Sequence, residues 1–387
     1  MNNKRVKIFI DGDVLVHEHF SGIGHYTADL LKALDKLLYK DEYSHVSVEI
    51  GVPYRNKHKL TKYGFENFGV RGIPLPSRMI NGLKQRRRLP PIDLLFGKKV
   101  YVFPNYSSWP TIRKLSIPVI YDLSFIKYPE FVEPQNRKFL VDQVGLSVAR
   151  ASKIITISKN SLNEIVSYYK YPKKDIEILS PAVDMHKFYR RSQEEISYNK
   201  AKYGIFGEYI LFVGNIEPRK NLITLLKAYD QLPNKVQEKY SLLLIGAKGW
   251  LDNEIRDYII EMRKRGLRVI QPVEYVTDVD LPSLYSGATV FVYISRYEGF
   301  GIPPIEAMAC GTPAITSDNS SLPEAVGNAA IKIDALDHNE LSSQITRLIE
   351  RSDARNDLIN KGYAQIMNFD WTKSAIRLIE MSEDLLK

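Results

Sequence analysis

The chain has 387 residues, 44% hydrophobic and 26% charged, with 54 Lys and Arg against 45 Asp and Glu. That length exceeds what one hydrophobic core usually supports, so it predicts two domains, and the ordinary composition excludes a disordered or fibrous chain. No apolar run reaches the about 18 residues of a membrane span. The start "MNNKRVKIFIDGD" meets acids too early for a signal peptide, and the single cysteine, Cys310, has no partner for an internal disulfide; a cytoplasmic protein is expected.

The charge is unevenly placed. Through residue 185 there are 29 basic against 18 acidic side chains, and from 186 onward 25 against 27. Residues 51–100 alone hold 12 basic against 2 acidic side chains, including "LKQRRRLP". Such a stretch fits an anionic surface, either nucleic acid or the cytoplasmic leaflet of a membrane, or else a solvated loop that only aids solubility.

The elements follow in order. "VKIFID" at 6–11 reads as a strand, and "HYTADLLKALDKLL" carries apolar residues at helical spacing. "HVSVEIGV", "KVYVFP", "IPVIYDLS" and "ASKIITIS" are short β-branched runs, the last leading into the helix "KNSLNEIVSYY". After a polar connection around 186–208 the alternation restarts. "YILFVGN", "YSLLLIGA" and "ATVFVYIS" read as strands, "NLITLLKAYDQL" and "NEIRDYIIEMRKRG" as helices, and the segments 340–367 and 373–386 as closing helices. Strands alternating with helices imply parallel sheets, so the fold class is α/β with two doubly wound, Rossmann-like domains and a cleft between them. The expected limits are 1–190 for the first domain and 200–368 for the second. A helix over 369–387 is expected to pack back on the first.

Three segments point to chemistry. In "SGIGHYT" at 21–27, Gly22 and Gly24 would admit a phosphate at a helix start, although Thr27 replaces the third glycine of a dinucleotide fingerprint and a plain tight turn fits as well. In "VGNIEPRKN" at 213–221, Arg219 and Lys220 open a helix, where cations oppose the macrodipole; a bound diphosphate would offset that cost, and solvent-facing side chains are the plain alternative. In "RYEGFGIPPIEAMACGTP", Glu298 and Glu306 bracket a glycine-rich turn and a helix start. They are a catalytic pair, two halves of a ligand clamp, or a turn residue and a first-turn carboxylate favoured by the dipole. Ser321 and Glu324 have the spacing of a capping box, and "DGD" at 11–13 lacks a third metal ligand. His17, His19 and His25 cluster in the first loop without metal-ligand spacing, and His25 is the one in reach of a cleft ligand.

"LFVGNIEPRKNLITLLKAY" followed by "ISRYEGFGIPPIEAMACGTPAITSDNSSLPEAVGNAA" closely resembles the retaining glycosyltransferases of family 4, which have the GT-B fold. "SGIGHYT", "YDLSFIKYPE", "ITISKNS", "LSPAVD" and "FDW" extend the likeness over nearly the whole chain. The resemblance implies that Arg219 and Lys220 hold a donor diphosphate near Gly22, Gly24 and Asn215. It further implies that Glu298 contacts the transferred sugar beside the backbone of Phe300 and Gly301, and that Glu306 holds the nucleotide ribose. Asp122 and Tyr121 would sit on the catalytic side and His25 on the acceptor side. No metal or other cofactor is implied, and the expected partners are a nucleotide-sugar, GDP-, UDP- or dTDP-linked, and a glycan or lipid-linked acceptor. The mannosyl type of surface-polysaccharide transferase is the variety most resembled, with residues 51–100 facing a membrane.

Two departures stand out. Asn215 occupies a position where many members have arginine, and Tyr121 stands where histidine is usual. A tyrosine still donates a hydrogen bond to a sugar hydroxyl but is a poor base at neutral pH. The rival readings are a glycoside hydrolase using Glu298 and Glu306, which leaves Arg219 and Lys220 without a task, and an inactive scaffold subunit, motivated by Tyr121. A nucleic-acid binder lacks any reading motif, so nucleic acid is not an expected partner.

Overall fold

The computed structural model describes residues 5–17, 22–247, 249 and 253–387. It divides into two compact units. The first comprises Met1–Pro181 with Asp370–Lys387, and the second Ala182–Phe369.

The first unit is built on five parallel strands, β1 (Val6–Asp11), β2 (Val46–Pro53), β3 (Phe68–Ile73), β4 (Val100–Phe103) and β5 (Ser116–Pro118), in the order β3-β2-β1-β4-β5. β1 lies between β2 and β4, with Ile8 opposite both Val48 and Val100. Ile8, Phe9 and Ile10 are all buried, as expected of a strand covered on both faces. β6 (Ile154–Thr156) and β7 (Ile176–Ile178) form a second parallel pair, which a single bridge from Val119 to Ile155 joins to the chain just past β5. The strand expected over 117–124 is thus short. Beyond it, Asp122 turns the chain by accepting from Ser124 N at 2.9 Å and Ser124 Oγ at 2.7 Å, an Asx-type turn that competes with extended pairing.

The helix Gly22–Leu38 lays Leu30, Leu31, Leu34 and Leu37 on this core. The helix Trp371–Asp384 packs against it, burying Ala375, Leu378, Ile379 and Met381. Tyr26 and Trp371 meet edge to face at 5.2 Å, and His45 contacts Glu383 at 2.8 Å.

The second unit has six parallel strands: β8 (Glu208–Val213), β9 (Tyr240–Ile245), β10 (Val269–Ile270), β11 (Val290–Tyr293), β12 (Ala314–Ser317) and β13 (Ala330–Ile333). Their order is β10-β9-β8-β11-β12-β13. The order reverses between β8 and β11, and in open α/β sheets the crevice beyond the strands' carboxyl ends at such a switch point is where ligands bind. Both chain segments singled out in this half, 214–221 and 294–301, leave the sheet there.

Several elements escaped the sequence reading. The connection around 186–208 contains a helix, Gln193–Lys202, with little apolar periodicity to reveal it. A reciprocal capping box opens that helix. Ser192 Oγ accepts from Glu195 N at 3.2 Å, while Glu195 Oε2 accepts from Ser192 N at 3.0 Å. Also unforeseen were the helix Pro134–Arg150 and strands β3, β7, β10, β12 and β13, most of them short or interrupted by glycine.

Candidate functional site

A buried polar cluster of the second unit forms where β8 and β11 end. Gly214 leaves β8 at φ +153°, and a Cβ at Gly246, beyond β9, would lie 2.0 Å from the Gly214 carbonyl oxygen. The two strand ends can approach only because position 246 lacks a side chain. Pro218–Lys220 then form a 3-10 turn, and Asn221 at φ +58° precedes the helix Leu222–Asp230. Asn221 Nδ2 donates to Ile294 O at 3.0 Å, fastening this loop to the end of β11.

Within that frame Glu298 is 7% exposed and receives two cations. Lys220 Nζ donates to Glu298 Oε1 at 2.7 Å, and Arg219 NH1 to Glu298 Oε2 at 2.8 Å. Arg219 also reaches Glu217 Oε1 at 2.8 Å and the Tyr297 carbonyl at 2.9 Å. Tyr293, the last residue of β11, stands between the charges. Its hydroxyl accepts from Lys220 Nζ at 2.6 Å and donates to Glu298 Oε1 at 3.0 Å. Burial pushes the Glu298 carboxyl upward, but Arg219 and Lys220 outweigh it and hold the group at about 2. Burial and the adjacent Arg219 guanidinium together lower the Lys220 pKa below the ordinary lysine value.

These contacts correct the expectation that Arg219 and Lys220 open a helix and need a foreign anion. They lie in the turn before it, and the carboxylates of Glu298 and Glu217 balance them. Glu306 also sits elsewhere than expected. The helix starts at Ile302, so Glu306 is its fifth residue, past the first turn where the dipole favours a carboxylate. Its Oε2 instead accepts from the Tyr285 hydroxyl at 2.9 Å.

The turn between the glutamates is held by residues the sequence reading assigned differently. Ser321 caps nothing: its buried hydroxyl lies 2.8 Å from the Glu298 carbonyl and 3.0 Å from that of Phe300. Glu298 N donates to Ser320 Oγ at 3.0 Å. Phe300 is buried edge-on against Phe369 at 5.1 Å, which gives the "FDW" segment a structural task. Gly301 adopts φ +111°, and a Cβ there would lie 2.5 Å from Leu322 Cδ2. Asn215 is exposed.

In the first unit, Gly22 and Gly24 lie inside the first turn of the helix Gly22–Leu38 rather than in a loop ahead of it, with His25 following. His17 Nε2 is 3.6 Å from Asp13 Oδ2, and His19 lies outside the described residues. Asp11 is buried and its side chain accepts from Asp13 N at 3.2 Å. Tyr121 differs most from expectation. It is 6% exposed, packed edge-on between Tyr26 at 5.3 Å and Tyr106 at 5.4 Å, and its hydroxyl donates to Pro104 O at 2.8 Å. The hydrogen that the sequence offered to a sugar hydroxyl is spent inside the fold. Burial raises its pKa above the ordinary tyrosine value, which removes it further from service as a base.

Comparison with known proteins places this geometry. Residues 198–365 match the family model described as glycosyl transferases group 1. An O-antigen chain mannosyltransferase B from Escherichia coli is 31% identical over 370 residues, 93% of this chain and 95% of that protein. The O-antigen chain mannosyltransferase RfbU of Salmonella typhimurium is 26% identical over 81% of this chain and 85% of its own. Among solved structures, a sucrose-phosphate synthase from Thermosynechococcus elongatus superposes with TM-score 0.71 at 18% identity, covering 99% of both chains. The Anabaena protein HepE in complex with UDP-glucose superposes with TM-score 0.70 at 16% identity, covering 98% of this chain and 99% of that one.

Proposed function

The chain belongs to the glycosyl transferases group 1 family, the retaining family 4 enzymes with the GT-B fold, and from that premise we propose a mannosyl transfer in surface-polysaccharide synthesis. The enzyme is a retaining hexosyltransferase. The donor is a nucleotide-sugar and the acceptor a hydroxyl of a glycan or lipid-linked glycan. The mannosyl assignment draws on the names of the O-antigen mannosyltransferases it resembles over most of its length.

The observation that carries the reading is the buried carboxylate of Glu298 held by Arg219 and Lys220 at the switch point. Two cations on one carboxylate form a preorganised anion site. When a donor arrives, its diphosphate takes over the cations, and Glu298 is released to accept hydrogen bonds from the sugar hydroxyls. The acceptor oxygen then bonds to the anomeric carbon on the face from which the phosphate leaves. The bond from that carbon to the diphosphate breaks, its electron pair goes to the leaving oxygen, and the acceptor proton passes to the diphosphate. Negative charge grows on the leaving group, where Arg219 and Lys220 stabilise it; such preorganised donors are the largest catalytic contribution in most enzymes of this kind. No protein base is needed, consistent with a buried Tyr121. Glu306 serves the ribose, Asp122 belongs to the catalytic side and His25 to the acceptor side.

The test is a screen of GDP-, UDP- and dTDP-linked hexoses with and without a glycan acceptor, following nucleoside diphosphate release. Release from GDP-mannose that depends on acceptor supports the reading. Hydrolysis of a glycan without any nucleotide would indicate a glycosidase, and no nucleotide binding by calorimetry a scaffold.

We also place the first unit against the cytoplasmic face of an anionic membrane. Among the described residues no helix is long and apolar enough to cross a membrane. Leu94 and Leu95 are nevertheless exposed on the helix Ile92–Phe96, and Ile112 beside it is 59% exposed. Asp93 fastens the two segments, accepting from Ile112 N at 3.0 Å and Arg113 N at 3.0 Å. Exposed apolar side chains among Arg86, Arg88, Lys98 and Arg113 suit a headgroup layer. Salt-sensitive flotation with anionic but not zwitterionic vesicles is the expected result.

A further inference from the structure

A second cluster of cations lies in the first unit, between the helix Ser77–Gln85 and the helix Pro134–Arg150. Lys84, Arg87, Ser108, Gln143 and Arg150 line a small cavity of about 10 Å³ there. Three of its polar lining residues are deeply buried, while Arg150 is half-buried and Arg87 is exposed at the rim. Lys84 is 7% exposed, Gln143 5% and Ser108 3%. Lys84 Nζ donates to Ser107 Oγ at 3.0 Å, and Gln143 Nε2 to the Lys84 carbonyl at 3.4 Å. Ser108 Oγ is buried and has no hydrogen-bond partner among the described residues. A buried hydroxyl left unpaired costs about 1–3 kcal/mol, so it points to an absent partner.

The charges agree. Among the described residues Arg150 forms no ion pair, Arg87 has only Asp142 at 4.0 Å, and Lys84 has no carboxylate within salt-bridge reach. Asp11 is the acid that Lys84 feels, and burial raises the Asp11 pKa, which weakens that compensation. Burial and the nearby Arg87 guanidinium lower the Arg150 pKa below the ordinary arginine value. The end of the helix Pro134–Arg150 favours one cation at Arg150 through its dipole, but it does nothing for Arg87 or Lys84.

We propose that this cavity is a phosphate site, seating one phosphoryl oxygen against Ser108 and Gln143 while Lys84, Arg87 and Arg150 hold the charge. A cavity of about 10 Å³ admits one oxygen-sized atom, so the rest of the ligand stays outside. That shape suits a terminal phosphate, either free or on a lipid headgroup, and excludes a buried sugar or base. Neither the transfer chemistry nor membrane docking is needed for it.

The test uses the full chain and two probes. Inorganic phosphate is titrated calorimetrically, and binding is measured to phosphatidylcholine vesicles with and without phosphatidic acid. The double variant Arg87→Gln, Arg150→Gln should lose about tenfold or more in affinity for at least one probe, and Ser108→Ala about threefold to tenfold. Arg256→Gln removes an exposed charge in the second unit and should change neither by more than about twofold. Loss confined to inorganic phosphate identifies a soluble ligand, and loss confined to phosphatidic acid identifies a headgroup. Arg87 sits at φ +55°, so Arg87→Gly should keep the melting temperature while losing the probe, which separates binding from folding. Equal binding by the pocket variants and Arg256→Gln would overturn the proposal and leave the cavity as a site for one water.

Discussion

Lys220 Nζ lies 2.7 Å from Glu298 Oε1, and the Tyr293 hydroxyl touches both. Three side chains from two strand ends therefore share one buried polar centre, and Arg219 closes it from the other carboxylate oxygen.

Removing the Glu298 charge should destabilise the second unit. Its pKa falls from an ordinary 4.5 to about 2, which by linkage corresponds to about 3 kcal/mol. Lys220 works against this, since burial and Arg219 lower its pKa and its charge costs stability at neutral pH. The carboxylate's direction prevails, because Glu298→Gln leaves the buried Lys220 without its carboxylate while Arg219 keeps Glu217, and breaking a buried pair typically costs about 3–5 kcal/mol. A depressed carboxyl pKa stabilises above the unfolded value and is lost as pH falls through the folded one. The gap in urea midpoint between wild type and Glu298→Gln should therefore be full at pH 7 and shrink between pH 4.5 and 2. A gap independent of pH would contradict the ionised carboxylate.

The two glutamates should fail differently in catalysis. Glu298→Ala is expected to lower kcat by about 10²–10³, the scale of losing one preorganised polar contact to the reacting group. Glu306→Ala is expected mainly to raise the donor KM, by about tenfold or more. Equal collapse of kcat with unchanged donor binding would sink this division of labour.

Tyr293→Phe isolates the hydroxyl. The ring should keep its stacking on Phe212 and Phe291, at 6.1 and 6.0 Å, while Lys220 and Glu298 each lose one hydrogen bond. We expect a stability loss of about 1–2 kcal/mol and a fall in kcat/KM smaller than that of Glu298→Ala. Thermal melts and donor kinetics on the same preparation check both.

Tyr121→Phe should leave transfer within about threefold of wild type and cost about 1 kcal/mol of stability, because the bonds of its hydroxyl to the Pro104 carbonyl and the Thr27 side chain are internal to the fold. A fall in kcat of a hundredfold would restore the tyrosine to the chemistry.

The strands that bear the second unit's polar centre were legible because β8, β9 and β11 are continuous apolar runs ended by glycine or serine. β10 has too few residues for any period to show, and in β13 Lys332 breaks the apolar run. The capping box illustrates a second limit. Ser192 with Glu195 and Ser321 with Glu324 share one spacing, yet only the first pair caps a helix, because the Glu298 and Phe300 carbonyls lie beside Ser321. Spacing along the chain cannot reveal an acceptor more than twenty residues away. For the same reason Arg219, Lys220 and Glu298 were each legible as ligand-facing residues, but their pairing with one another was not.

The chain departs from the first unit at Pro181 and comes back to it at Asp370. During synthesis, the sheet that begins first is therefore the last to be covered. The face of the helix Gly22–Leu38 that meets residues 371–384 stays open until those residues leave the ribosome, while the second unit, continuous in sequence, has all its strands and can fold earlier. A nascent chain stalled short of residue 370 would expose that face, making the helix Trp371–Asp384 the element that closes the first unit against aggregation.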